Sequence, residues 1–374
     1  MTAQRIQGLV WNEQDETFIP GSLQIAGEQI TRLEWEENAM LPTAPYILPG
    51  FFDASWTDES NLFENRLAQE EKLSNGITTL EMLTPSDPEL LKYLLEWYPD
   101  SGQEWQHVRL ILHVANPSLD TLRRLLQEGM RAGCGNRWVR IGGVYLDADS
   151  PAGEWLRSPD ELKALSQMAI AASFPLLLRV RNPRHLPEAI RCYPQPTVNR
   201  KASQACCHRL IEPPVINESL LAVTCHLQVT LQLAGTWIQR RWKPLRQKKP
   251  DGHYLSLTQW LASGRCQLVS GGDYPTGLGL WKTAVEQLFP LILQETGSDE
   301  PARLLRWVKA KCLTAMTQTP ARLNQQGHLL GTPRPQAIAD LLLLESDPLG
   351  DNEQLNLYPH LQQVIIGGQK VDFW

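Results

Sequence analysis

Residues Ile47-Leu-Pro-Gly-Phe-Phe-Asp-Ala-Ser-Trp-Thr57 form the stretch on which the fold of this chain turns. Pro49 and Gly50 punctuate the backbone, and the strand formers Phe51 and Phe52 follow at once. The stretch reads as a strand leaving a Pro-Gly turn, with Asp53 onward at the strand's C-terminal end. Ser55 and Thr57 stand two residues apart, so alternation along a strand points them the same way. Two imidazoles so placed would clamp a metal; two neutral hydroxyls make a poor substitute.

Downstream of this strand the pattern alternates. Ile77–Met82 reads as a strand, Asp87–Trp97 as a helix, Val108–Val114 as a strand and Leu119–Ala132 as a helix. Trp138–Leu146 follows as a strand, then a helix over 158–172 opened by Ser158-Pro159, then the strand Pro175–Val180. This is the βαβα rhythm of a parallel sheet. Between 181 and 235 the rhythm weakens: Val223–Leu233 reads as a strand after a short helix near Glu218, and one barrel unit is expected to be reduced or lost there. Helices over 255–263, 283–294 and 300–317, with the strand Cys266–Ser270 among them, suit the closing units of a (β/α)8 barrel.

The two ends of the chain read alike. Arg5–Trp11, Gly21–Ala26 and Gln29–Trp35 are short strands, the last two joined by a Gly27-Glu28 turn. Ala339–Glu345 is a buried-strand run, and Gln363–Val371 is strand, Gly-Gly turn, strand. Residues 1–47 and 325–374 are therefore expected to build one small composite β domain beside a barrel domain over 48–324.

Of the 374 residues, 42% are hydrophobic and 20% charged, the balance of a globular chain with a sizeable core. A formal charge of -6 gives no basic footprint for nucleic acid. No apolar run is long enough to span a membrane and the N-terminus lacks a signal-peptide core, so a cytoplasmic protein is expected. Seven cysteines at irregular spacing form no Cys-x-x-Cys and no disulfide framework. Cys206-Cys207-His208 has no orienting Asn or Asp beside it and reads as structural. The eight histidines include no pair at zinc-motif spacing on one element.

With these marks in order, the chain resembles the amidohydrolase superfamily, and dihydroorotase within it. The opening stretch is similar to the signature Pro-Gly-hydrophobic-Ile-Asp-x-His-x-His. Ser74–Pro88 resembles the dihydroorotase stretch that follows it. Trp242-Lys-Pro-Leu-Arg246, Asp251, Leu261, Gly264 and Ser270–Pro275 keep the order of a later family pattern. Thr319–Leu323, Gly327, Gly331, Ala339-Asp340 and Asp347-Pro348 resemble its closing one. The resemblance implies an amidohydrolase-like barrel with a β-sandwich domain from both termini. It also implies zinc-dependent hydrolysis of a cyclic amide in pyrimidine biosynthesis.

The departures fall on the chemistry. Ser55, Thr57 and Arg179 stand at three expected metal-ligand positions, and a guanidinium offers only donors. A further His-bearing strand has no clear counterpart, His226 being a remote candidate. Asp273 matches the family's catalytic aspartate, either as a proton shuttle or as a hydrogen-bonded carboxylate at the Gly271-Gly272 turn. At substrate-contact positions stand Thr84, Trp242 and Glu59 or a neighbour. Arg179 and Arg181 read either as an anion-binding pair at the barrel mouth or as a salt-bridged strand end. Trp56, Trp242 and Tyr274 are expected to narrow that mouth or to form a platform for a partner.

Three functions follow. The first is a non-catalytic, dihydroorotase-like structural or regulatory protein without cofactor, for which the resemblance implies aspartate transcarbamoylase as partner. A working cyclic-amide hydrolase that holds zinc on non-standard ligands is the second. The third is a binding protein for an anionic metabolite. Self-association into a homo-oligomer is compatible with each.

Overall fold

A computed structural model describes residues 4–36, 44–55, 66–98, 108–195, 208–234, 257–269, 277–350 and 361–372. The chain opens with strands β1 (Gln4–Asn12), β2 (Thr17–Ala26), β3 (Gln29–Trp35) and β4 (Tyr46–Pro49). Strand–helix units follow: β5 (Phe51–Ser55) with α1 (Arg66–Ser74), β6 (Ile77–Thr84) with α2 (Pro88–Trp97), and β7 (Arg109–Ala115) with α3 (Leu119–Gln127). Next come β8 (Val139–Asp147) with α4 (Pro159–Ala171), β9 (Leu176–Arg179) with α5 (Leu186–Ile190), and β10 (Arg209–Ile211) with α6 (Glu218–Leu227). Then β11 (Thr230–Ala234) precedes α7 (Leu257–Ala262), and β12 (Cys266–Val269) precedes α8 (Gly277–Thr296), α9 (Pro301–Met316) and α10 (Gln318–Leu323). The chain closes with β13 (Leu341–Leu344), β14 (Leu361–Ile366) and β15 (Gln369–Lys370).

Among the described residues these strands fall in two sheets. Strands β5 to β12 form an eight-stranded sheet in sequential order, parallel throughout. Its first and last strands approach one another, so the sheet curls into a barrel with the helices outside. The second sheet has the order β15-β14-β13-β4-β1-β2-β3 and joins the two ends of the chain. The fold is thus an amidohydrolase-like (β/α)8 barrel beside a small β unit drawn from both termini.

The Pro49-Gly50 turn is where the chain leaves one sheet for the other. A side chain at Gly50 would place its Cβ 2.0 Å from Thr78 Oγ1, so the close passage of β5 over β6 requires glycine there. Helix starts follow their capping residues. Asp87, Ser118 and Ser158 accept from the backbone amides of Glu89, Thr121 and Glu161, as the Ser158-Pro159 signal predicts for α4.

Two expectations are corrected. Val223–Leu233 is not one strand: α6 runs to Leu227, Gln228 turns left-handed at φ 58°, and β11 begins at Thr230. Asn217 caps α6 by accepting from Leu220 N at 2.8 Å, and an apolar run alone does not separate helix from strand. The unit expected to be reduced therefore has both helix and strand, although β10 is only three residues long. The helix expected over 119–132 ends at Gln127, just before Gly129 at φ 80°.

Outward-facing strand residues such as Leu80, Leu112, Leu146 and Leu231 join the main core beneath the helices. At the N-terminal end of the barrel, Phe52 and Ile111 pack with Ala321, Leu330 and Ile338, so the segment after α10 plugs that end. Arg109 of β7 ties the barrel to the approach to β13 by a buried bidentate pair with Asp340, at 2.5 and 3.0 Å. Among the described residues no helix is long and apolar enough to cross a membrane.

Candidate functional site

Barrel chemistry sits where the strands end, so the C-terminal ends of β6 to β12 define the region to inspect. Side chains alternate along each strand. On β9, Leu176 and Leu178 join the helix-facing core, which turns Leu177 and Arg179 inward. By the same alternation Tyr145 and Asp147 of β8, Arg209 and Ile211 of β10, Gln232 of β11 and Gln267 of β12 face the interior. Thr84 instead shares the parity of Leu80 and Met82, which pack toward the helices, and its hydroxyl lies 3.5 Å from Pro85 O. It is not brought together with Arg179 and Arg181.

Arg179 ends β9 and is in register with Ile211, so Glu212, the next residue, stands beside it at the following strand end. The Arg179 guanidinium is ion-paired with the Glu212 carboxylate. Burial pulls the Arg179 pKa down, but Glu212 and then Tyr145 outweigh it and raise it. Tyr145 donates from Oη to Asp147 Oδ1 at 3.0 Å. Burial and then Asp147 push the Tyr145 phenol well up, so it stays protonated.

Arg181 continues the network. Its Nη1 lies 2.6 Å from Asp147 Oδ1 and donates to Asp149 O at 2.6 Å. Asp149 is wholly buried and caps the turn after β9, accepting from the amides of Arg181 and Asn182 at 2.8 Å each. Its other oxygen-bonded neighbour is His185 Nδ1 at 3.1 Å, and that ring stacks on Trp155. Both arginines are therefore engaged by carboxylates of the same rim. Of the two readings left open by the sequence, the geometry has the form of a salt-bridged strand end.

Beneath this rim the interior is polar. Glu81 of β6 receives Arg209 Nη1, His113 Nε2 at 2.9 Å and Gln267 Nε2 at 2.7 Å. Arg209 Nη2 also donates to Asn324 Oδ1 at 2.7 Å, just past α10. Burial raises the Glu81 pKa, but Arg209 and His113 outweigh it and hold the carboxyl down at about 2. Burial lowers the His113 pKa by more than Glu81 raises it, which favours the neutral imidazole. Gln232 is wholly buried, and among the described residues neither its amide oxygen nor its nitrogen has a hydrogen-bond partner.

The zinc implied by the resemblance needs three or four nitrogen, sulfur or carboxylate donors converging on one point. Arg179 cannot ligate, and Glu212 is occupied by it. No group of three His, Cys, Asp or Glu side chains among the described residues converges so as to hold a metal ion. The described residues do not fit a zinc centre. Ser55 ends β5, with its side chain outside the described atoms. Thr57, Trp56, Trp242, Asp273 and Tyr274 lie outside the described residues. His226 is corrected: it sits in the last turn of α6, whereas the strand after β9 is β10, followed by Glu212.

Glu212, Tyr145, Asp147 and the interior set around Glu81 are absent from the candidates read in sequence. A signal existed for two of them. Glu81 stands between Leu80 and Met82 and His113 between Leu112 and Val114, and a charge at such an inward position needs a partner across the barrel. Arg209 and Glu212 lie in the stretch whose rhythm is hardest to read.

No protein-family model matches the chain, and no curated protein sequence matches it. Solved structures do share its fold. An uncharacterized metal-dependent hydrolase from Pyrococcus furiosus superposes with a TM-score of 0.68 at 12% identity, covering 93% of this chain and 100% of its own. A Xaa-Pro dipeptidase with methionine bound in the active site gives 0.64 at 11% identity, over 100% of both chains. An amidohydrolase gives 0.61 at 14% identity, over 99% of this chain and 98% of its own. At these identities the likeness is one of fold.

Proposed function

We propose that this chain is a dihydroorotase-like protein that keeps the barrel of a metal hydrolase without its metal-dependent hydrolysis and acts as a structural or regulatory partner. The observation that carries this reading is the Arg179–Glu212 pair. Two neighbouring strand ends that would present ligands to a metal instead present a cation and an anion to each other. Asp147 is likewise held by Arg181 and Tyr145, so no described rim carboxylate stands free to act as a base. Aspartate transcarbamoylase is the first candidate partner, on the order of sequence marks that resemble dihydroorotase.

A second reading is supported by Gln232 and Arg179. Among the described residues the buried Gln232 amide and Arg179 Nε both lack partners, and such groups suit a polar ligand with acceptor and donor atoms. In that reading the mouth binds an anionic metabolite. A third outcome, hydrolysis of a C–N bond, takes its plausible substrates from the resemblance and from the dipeptidase of similar fold: dihydroorotate and a Xaa-Pro dipeptide.

Elemental analysis of the purified protein, with hydrolysis assays on both substrates and size-exclusion chromatography with aspartate transcarbamoylase, tests the proposal. The expected outcome is substoichiometric zinc, no turnover with or without added zinc, and co-elution. About one zinc per chain, lost together with activity on chelation, overturns it. Saturable binding of a carboxylate metabolite that Gln232→Leu abolishes would favour the second reading.

A further inference from the structure

A cavity of about 360 Å³ lies at the N-terminal end of the barrel, opposite the rim of Arg179 and Glu212. Its position is marked by Gly264, just before β12 begins. Thr314 of α9 and Gln318 and Arg322 of α10 line one side. Thr332 and Arg334 come from the segment beyond α10, and Glu13 from the β1–β2 turn.

Two guanidiniums line this space, and each hydrogen-bonds a main-chain carbonyl. Arg322 Nη2 donates to Gly264 O at 2.9 Å, and Arg334 Nη2 donates to Gly327 O. A guanidinium carries five N–H donors, so most remain available on both. Among the described residues neither arginine has a carboxylate within ion-pair distance, unlike Arg179 and Arg181 at the other end. Glu13, the one carboxylate lining the cavity among the described residues, accepts from the Thr332 hydroxyl. In the helical wall, Thr314 Oγ1 and Gln318 Nε2 are buried and have no hydrogen-bond partner among the described residues.

Buried donors without acceptors are costly, and here they line a space beside two arginines, Arg322 exposed and Arg334 half-buried, that face a single carboxylate among the described residues. The complement to such a wall is a group with several acceptor oxygens and negative charge. The volume lies in the range of small-molecule sites. We propose that this cavity binds a small metabolite bearing a carboxylate or phosphate group, held between Arg322 and Arg334. The site stands apart from the barrel mouth and is independent of what the mouth does.

Isothermal titration of the full chain at constant ionic strength, with inorganic phosphate in one arm and succinate or citrate in the other, tests the site and separates the two anion classes. Saturable binding in at least one arm is expected. Arg322→Gln and Arg334→Gln should each weaken it about tenfold or more, since each removes charged hydrogen bonds. Glu13→Gln should tighten binding, because it removes the opposing charge and keeps a hydrogen-bonding group. Arg303→Gln, at an exposed arginine of α9 outside the cavity, should change nothing. No saturable binding in either arm overturns the proposal. So does an affinity indifferent to both cavity arginines, or one weakened by Glu13→Gln. The Glu13 variant reads the site even if an arginine variant fails to fold.

Discussion

Arg209, rooted at the start of β10, reaches through the barrel interior to Glu81 of β6, three intervening strands away in the sheet, and both side chains are wholly shielded from water. The pair spans the barrel within a polar interior that also holds His113, Gln232 and Gln267. His113, Gln267 and Asn324 add hydrogen bonds to the pair, which offsets part of the cost of burying two charges, while Arg209 Nε is buried without a partner among the described residues.

Removing one partner strands the other. Arg209→Met is expected to cost about 3–5 kcal/mol, because Glu81 is left as an uncompensated buried charge. The double variant Arg209→Met with Glu81→Gln should recover much of that loss through non-additive coupling. Urea unfolding of the parent, both single variants and the double measures it, and strict additivity would refute the coupling.

Acid should act on this cluster in two stages. Native His113 has a pKa below 6.5, so in the range below 6.5 the unfolded chain binds a proton that the native state does not. Stability therefore falls as pH drops below that value, by up to about 1.4 kcal/mol per pH unit for this one proton. Glu81 has a native pKa of about 2 against an ordinary 4.5, so its contribution is full above 4.5 and is lost as pH falls toward 2. Unfolding free energies measured from about pH 8 to about pH 5 should decline toward acid, and His113→Asn should flatten that decline. A flat parent profile over this range contradicts the assignment.

The clamp between the two sheets should be felt at a distance. Asp340 pairs with Arg109 and also accepts from Gly367 N at 2.7 Å, while Arg109 lies 4.3 Å from the Trp138 ring. Asp340→Ala should cost about 3–5 kcal/mol and leave Arg109 buried without its anion. Hydrogen exchange should then quicken in β13 and β14 more than in β8. Uniform quickening in both sheets would assign the loss to global unfolding instead.

At the rim, Glu212→Gln should cost about 1–3 kcal/mol, because Arg179 keeps Tyr145 but loses its carboxylate. Adding Arg179→Gln should restore part of the loss. Thermal melting of the three variants checks this, and a double variant less stable than the worse single would show that the pair does not act as a unit.

Much of the architecture was legible in the sequence. The Pro49-Gly50 turn, the alternating strands and helices from Ile77 to Val180 and the paired strand patterns at both ends predict a barrel with a composite β unit. Local periodicity and turn chemistry are written into neighbouring residues. The reading failed at Val223–Leu233 because an apolar run of that length satisfies helix and strand alike, and the Asn217 cap and the left-handed Gln228 decided between them.

What the sequence by itself determined is the substitution: Ser55, Thr57 and Arg179 stand where the resemblance expects ligands. What only the tertiary structure decided is what Arg179 does. Its partner Glu212 follows the last residue of the next strand, 33 residues away, and became its neighbour through the register of β9 with β10. The same holds for Glu81 and Arg209, separated by 128 residues. Periodicity tells which face of a strand a side chain occupies, but the partner of a buried charge is fixed by the closure of the barrel. Closure is a property of all eight strands together and of no single stretch.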